Sequence, residues 1–342
     1  MRIIVDAMGG DFAPMEAVRG AVEALEHYNA EIVLCGITEE ILRCLEKLGI
    51  SDLPNGLEIA YAKDVVTMED NPASVIKTKP ESSMMVGLKM LKDGNGDAFV
   101  SAGSTGALLA GATFIVRRIS GIRRAALSPV VPTASGKGTV LIDCGATAEC
   151  TPDYLFQFAH MGSFYAQSAL EIENPRVALL NIGAEETKGT DLQREAYALL
   201  KNSQLNFIGN IEPKEAALGG CDVLVADGYS GNIFLKTVEG YGTLLMNEMK
   251  AMFMKNAGSK LAALLVKSSL REIKHKYSAS DVGGTALLGI AKPVIKAHGS
   301  SKADAFCAAI GQAIKTSKAG VAEKISASMG RINAAKKNAS EE

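Results

Sequence analysis

The chain has 342 residues, 47% of them hydrophobic and only 5% aromatic, with 34 glycines and no tryptophan. That length and apolar content fit a folded enzyme of two intimate lobes or one large α/β domain with an aliphatic core. Thirty-six basic against 38 acidic residues leave a formal charge of −2, so no global basic field recruits nucleic acid, and no apolar stretch approaches the roughly 20 residues of a membrane span.

The six cysteines, Cys35, Cys44, Cys144, Cys150, Cys221 and Cys307, form no CxxC pair. They read as reduced thiols of a cytoplasmic protein. The N-terminus enters a strand directly, without a signal peptide.

The first strand-like run, RIIVD, ends in Asp6-Ala7-Met8-Gly9-Gly10-Asp11. A continuous Val/Ile/Leu run reads as a buried parallel strand, and glycine at its end lets the backbone turn sharply and approach a ligand. Two carboxylates around a glycine pair allow two readings. The loop closes over phosphate or orients a cation, or Asp11 caps the helix predicted over 14–28, with Pro14 at its start. A second helix is predicted over 38–48 and a turn at Asn55-Gly56. Residues 71–79 lead into Ser82-Ser83-Met84 as a basic lid before a helix over 81–93. The run AFVS then opens into Ser101-Ala102-Gly103-Ser104-Thr105-Gly106 and a helix over 104–119. Hydroxyls and bare N–H groups there suit an anion; a plain N-cap with small packing residues is the alternative. The loop is neither a Walker loop nor a dinucleotide fingerprint. Arg117, Arg118, Arg123 and Arg124 follow as a local basic cluster. It is either a solvated surface or a docking patch for an acidic protein such as acyl carrier protein.

Three more runs end in the same way: TVLIDCGATAE (139–149), VALLNIGAEETKG (177–189) and VLVADGYSGN (223–232). Helices are predicted over 152–171, 187–202 and 230–254. Lys188 stands alone just past a strand end beyond Gly183. Asp227 and Asn232 flank the tight turn that contains Gly231. A lysine that neutralises developing charge and an Asp or Asn that orients a nucleophile are what phosphate-dependent acyl transfer needs. Each residue taken singly is equally an ordinary cap or surface charge. Residues 243–276 change pattern to two helical segments meeting at Asn256-Ala257-Gly258. Their apolar stripe includes Met252, Phe253, Leu261, Leu264 and Leu265 beside several lysines. This protruding amphipathic hairpin packs on the core or a dimer mate, or lies in a membrane surface. Lys296-Ala297-His298-Gly299-Ser300-Ser301 precedes a helix near Asp304 as a further anion-contacting loop. His27, His160 and His275 fall in helical stretches and read as structural or solvated. No histidine pairing at ligand spacing points to a metal site. The polar segment 331–342 reads as a frayed tail beyond a domain spanning 1–330.

The alternation of strands and helices predicts a doubly wound, mostly parallel sheet in a three-layer α/β/α arrangement. In such sheets ligands sit outside the carboxyl ends of the strands, so the five run-end loops are expected to form one site for a small anion.

Taken together, VDAMGGD, SAGSTGA, IDCGA, NIGAEETKG, DGYSGN and KAHGSS, in this order, closely resemble the bacterial PlsX phosphate acyltransferases (acyl-acyl carrier protein:phosphate transacylases) from residue 1 to about 330. The resemblance implies a fold similar to isocitrate and isopropylmalate dehydrogenases and phosphate acetyltransferases. It implies a cofactor-free homodimer that makes acyl phosphate from acyl-acyl carrier protein and inorganic phosphate. The product would feed glycerol-3-phosphate acylation by a membrane acyltransferase in phospholipid synthesis. It also implies peripheral attachment to an anionic membrane, which fits the hairpin. Two positions depart from the pattern: Ser74, where arginine is expected in the lid, and Cys144, where a hydrophobic residue is usual. The alternatives are a phosphate acyltransferase acting on a small acyl-CoA, a decarboxylating dehydrogenase of the same fold type, and a non-catalytic membrane scaffold for acyl carrier protein.

Overall fold

The structure is a computed structural model and describes residues 1–134, 136, 138–277 and 283–339. The chain forms β1 (Arg2–Asp6), α1 (Met15–His27), β2 (Glu31–Gly36), α2 (Thr38–Lys47), β3 (Leu57–Tyr61), α3 (Val75–Thr78), α4 (Ser83–Lys92), β4 (Ala98–Ser101), α5 (Thr105–Gly111) and β5 (Ala126–Ser128). A π-helical turn, Ala112–Val116, continues α5. Then come β6 (Val130–Val131), β7 (Thr139–Ile142), α6 (Pro152–Ala169), β8 (Val177–Leu180), α7 (Asp191–Lys201), β9 (Phe207–Ile211), α8 (Pro213–Ala217) and β10 (Val223–Val225). The chain ends with α9 (Gly228–Met254), α10 (Ala257–Leu265), α11 (Lys267–Tyr277), β11 (Thr285–Leu288), β12 (Val294–Lys296), α12 (Ala303–Lys318) and α13 (Val321–Ala339).

The chain divides into two compact units. One comprises Met1–Pro129, His160–Asn174 and Ser280–Glu342; the other comprises Val130–Ala159 and Pro175–Ala279. The first holds a seven-stranded sheet ordered β3-β2-β1-β4-β12-β11-β5. Strands β1 to β4 and β12 run parallel. β11 is antiparallel to both β12 and β5, so this edge departs from the parallel expectation. Ile3, Ile4, Val5, Ile32, Leu34 and Phe99 are fully buried in the sheet, as side chains of a strand covered on both faces must be. The chain leaves β1 toward β2 and β3, then crosses back to β4 on β1's other side. The β1–β4 boundary is therefore the place where strand order reverses, where a doubly wound sheet opens a crevice at its carboxyl edge.

The second unit holds a five-stranded sheet ordered β6-β7-β10-β8-β9. β7, β10, β8 and β9 are parallel, and the short β6 is antiparallel to β7. Val225 of β10 pairs with Ile142 of β7 and Leu179 of β8, so the three strands end almost level and their loops emerge side by side. The single sheet expected from the alternation is thus two sheets, and three of the singled-out loops belong to each.

The hairpin also differs in detail from its expectation. α9 is one helix of 27 residues that begins at Gly228, and its buried residues are Gly228, Gly231 and Phe234, all near its start. Asn256 then caps α10, its side chain accepting a 2.8 Å bond from the Ser259 amide. The second predicted segment is split at Val266 into α10 and α11. No residue of α10 is buried. α13 extends helical backbone through residue 339, into the segment expected to fray. No helix among the described residues is long and apolar enough to cross a membrane.

Candidate active site

In the first unit three loops meet at the carboxyl ends of β1, β4 and β12. Asp6, 1% exposed, accepts a 2.7 Å bond from the Ser101 hydroxyl and one from the Met8 amide. Ser101 in turn accepts from the Gly103 amide at 3.0 Å. The Asp11 amide donates to the Gly299 carbonyl at 2.8 Å, which ties the first loop to the third. Gly10 sits at φ +108°, and a Cβ there would lie 3.0 Å from Ala102 Cβ and 3.1 Å from the Gly299 oxygen. Only glycine suits that backbone in that space. Gly9 packs as closely on Gly103.

Asp6 and Lys296 are the buried charged groups of these loops. Burial pushes the Asp6 carboxyl above its ordinary range, against hydrogen bonds from Ser83, Ser101 and Met8 and the charge of Lys296. Lys296, 8% exposed, donates to the carbonyls of Ala102 and Ala297. Its ammonium is therefore built into the loop framework and acts on the site as a fixed positive charge. His298 is exposed and bonds Ser300 through Nδ1, at 2.9 Å from its hydroxyl and 3.3 Å from its amide. Ser104 is the N-cap of α5 without a side-chain cap bond, and Thr105 beside it is exposed. A Cβ on Gly106 would meet Pro72 Cγ at 2.7 Å, so the 71–79 segment packs directly on this helix start. Ser74 is the N-cap of α3 there, and its hydroxyl bonds the Asn71 carbonyl. A 2.8 Å ion pair between Lys79 and Asp70 closes the segment. Asp11 makes no helix cap: α1 begins after Pro14 without a side-chain cap bond.

In the second unit the loops after β7, β10 and β8 stand next to one another. Asp227 is the N-cap of α9, its Oδ1 accepting from the Ser230 amide at 2.8 Å. That is the ordinary capping role, and it is the only bond of this carboxylate among the described residues, which leaves Oδ2. Gly231 lets the first turn of α9 press on Asp143: a Cβ there would collide with the Asp143 carbonyl oxygen. Asn232, exposed one residue on, lies over Gly145, with Oδ1 3.8 Å from where a Cβ on that glycine would stand. Lys188 is exposed on the loop after β8, and a Cβ on Gly183 would touch its Cγ at 3.2 Å. Among the described residues no carboxylate is paired with the Lys188 ammonium.

Asp143 escaped the sequence reading. It is fully buried and accepts bonds from the Cys144, Ala146 and Thr147 amides at 2.7–3.2 Å. The signal was present: it is a carboxylate at a strand end followed closely by glycine, as are Asp6 and Asp227. Cys144 beside it is buried, and burial followed by the Asp143 charge pushes its thiol well above the ordinary range. The four arginines Arg117, Arg118, Arg123 and Arg124 are all exposed on the segment between the π-turn and β5. Arg118 bonds the Arg123 carbonyl. Met252, Leu261, Leu264 and Leu265 are 56–80% exposed, whereas Phe253 is half-buried. The His275 side chain lies outside the described residues. Among the described residues no cluster of three or more His, Cys, Asp or Glu could hold a metal ion.

Comparison with known proteins places this arrangement in a lineage. The family described as "Fatty acid synthesis protein" matches residues 1–324. A phosphate acyltransferase of Thermoanaerobacterium thermosaccharolyticum is 47% identical over 313 residues, 92% of each chain. One from Clostridioides difficile is 42% identical over the full length of both. Among solved structures, a phosphotransacetylase from Streptococcus pyogenes superposes with a TM-score of 0.65 at 19% identity, covering 93% of this chain and 94% of its own. A 4-hydroxythreonine-4-phosphate dehydrogenase from Klebsiella pneumoniae gives 0.55 at 13% identity, covering 93% and 99%. These two are similar in fold. The chain belongs to the phosphate acyltransferase family of fatty acid and phospholipid synthesis.

Proposed function

We propose that this phosphate acyltransferase family member takes its acyl group from long-chain acyl-acyl carrier protein, and that inorganic phosphate attacks the thioester directly. A phosphate oxygen bonds to the carbonyl carbon. The tetrahedral intermediate collapses with cleavage of the C–S bond, and the carrier thiolate leaves and takes up a proton. Lys188 stabilises the developing oxyanion. The Asp227 Oδ2 orients the phosphate or accepts its proton, and Asn232 hydrogen-bonds the carbonyl or the phosphate. The amides and the fixed Lys296 charge around Gly9, Gly10, Ser101, Gly103 and Gly299 favour an anionic group of the substrates.

The observation that carries this reading is the level ending of the paired strands β10 and β8, with Asp227 and Asn232 at the start of α9 after β10 and Lys188 on the loop after β8. A covalent route through the protein is disfavoured by Cys144, since a buried thiol held in its protonated form is a poor nucleophile. Incubation with long-chain acyl-acyl carrier protein in the absence of phosphate tests this directly. Intact mass spectrometry is expected to find the chain unacylated, and an acyl adduct on any side chain would overturn direct attack.

Three further parts of the reading concern partners. The Arg117–Arg124 segment docks the acidic carrier protein. The chain acts as a homodimer held on an anionic membrane surface by the exposed stripe of α9 and α10. Its acyl phosphate passes to a membrane glycerol-3-phosphate acyltransferase.

A further inference from the structure

The loop that carries Lys188 contains Gly183 and Gly189, the latter at φ +89°, and the lysine side chain is long and exposed. Left to itself, such a loop would spread the ammonium over many positions, and a stabilising charge loses most of its effect when it must be ordered during the reaction. The structure supplies the order from outside the reacting groups. Asn181, at the end of β8, accepts from the Ile182 amide through Oδ1 at 2.8 Å and donates through Nδ2 to the Lys188 carbonyl at 3.1 Å. One buried amide therefore closes the loop from its first residue to the lysine. Asn210, 8% exposed on neighbouring β9, donates to the Glu185 carbonyl at 2.8 Å, and the Lys188 amide bonds that same carbonyl at 3.1 Å. Glu186 has been drawn off: it bonds Lys201 at 2.8 and 3.0 Å and the Tyr197 hydroxyl at 3.0 Å. The acidic residue two positions before the lysine is thus held by another cation.

We propose that Asn181 and Asn210 are positioning residues for Lys188, fixing its backbone so that the ammonium meets the transition state already in place. This rests on the reading of Lys188 as the group that stabilises the oxyanion. Both asparagines act through the lysine, so their effect falls on kcat and depends on Lys188 being present.

The test is a double-mutant cycle on the full chain with acyl-acyl carrier protein and phosphate as substrates. Asn210→Ala and Asn181→Ala are each expected to lower kcat about tenfold, the scale of one lost buried hydrogen bond. The KM for the acyl donor should shift less than about twofold. In a Lys188→Ala background the same substitutions should cost nothing further, because interacting residues are not additive. Asn210→Ser, which keeps a donor, should recover part of the loss, and it stands in if Asn210→Ala fails to fold. A folded Asn210→Ala or Asn210→Ser protein that shows wild-type kcat in the first case, or no recovery in the second, overturns the proposal. So does a loss of equal size with and without Lys188. If Lys188→Ala alone retains full turnover, the oxyanion reading falls and the positioning proposal falls with it. A severe Lys188→Ala defect beside a silent Asn210→Ala overturns the positioning alone.

Discussion

In the proposed reaction Lys188 and Asp227 each act as a single group. Asp227 closely follows β10 and Lys188 lies on the loop after β8, and each backbone carbonyl is hydrogen-bonded, that of Lys188 by Asn181 and that of Asp227 by the Gly231 amide. Lys188→Ala and Asp227→Ala are therefore expected to lower turnover about 10²-fold or more while the fold survives, the cost of removing one stabilising or acid–base group. Near-wild-type acyl phosphate formation by either folded variant would remove that residue from the mechanism. Asp227 also caps α9, so its variant should lose about 1 kcal/mol of stability in addition, and thermal denaturation will show it. Cys144→Ala should keep turnover, since its thiol stays protonated at neutral pH.

Asp6 gives a pH signature. Its carboxyl is raised by burial above its 3.8 reference value, so the native state holds this proton more tightly than the unfolded chain does. The stability it contributes is complete below 3.8 and is lost as pH rises through the native value. The wild type should accordingly lose thermal stability relative to Asp6→Asn as pH rises through that window. A pH-independent difference between the two would contradict the burial account.

At the scale of elements, α9 and α10 are the exception to the rule that a helix buries one face. The first turns of α9 are seated by Gly231 and Phe234, while Leu264 and Leu265 beyond the turn are 67% and 80% exposed. Burial of such side chains is worth about 1.5–3 kcal/mol each, enough for reversible attachment to a lipid surface when a second copy adds avidity. Leu264→Glu with Leu265→Glu is expected to abolish flotation with anionic vesicles and to leave turnover on soluble substrate intact. Continued flotation of this variant would place the membrane contact elsewhere. Much of this was legible from residue order. The central strands read clearly because β1, β4, β7, β8 and β10 are buried on both faces and so are continuously apolar. The helix ranges followed from periodicity and from breakers such as Asn256. What stayed hidden has a physical reason. β5, β6 and β11 lack the strand–glycine–helix pattern that marks the central strands, and strand direction is set by partners distant in sequence. The break at Val266 leaves no glycine or proline to mark it. Asn181 could have been read as the start of an Asx turn before glycine, but Asn210 looks like any strand residue until β9 is paired with β8.

On the scale of the whole molecule, the sequence pattern merges into one sheet what the chain builds as two, because both sheets repeat the same strand–glycine–helix unit and nothing local says which strands pair. Each sheet carries three of the loops. The exposed arginines of the 117–124 segment are the proposed meeting point for an acidic carrier. Arg123→Glu with Arg124→Glu should raise the KM for acyl-acyl carrier protein more than it lowers kcat, and the wild-type KM should rise with salt as screening sets in. A salt-independent KM would exclude this patch.

The central claim, transfer of the acyl group from carrier protein to phosphate, is tested most directly by following both products of one reaction. Long-chain acyl-acyl carrier protein is mixed with the protein, with and without inorganic phosphate. Free carrier thiol is read with a thiol reagent, and acyl phosphate by mass spectrometry, because hydroxylamine would also cleave the thioester donor. Equimolar thiol and acyl phosphate are expected, both dependent on phosphate. Thiol release that proceeds without phosphate, or the absence of acyl phosphate when phosphate is present, would contradict it.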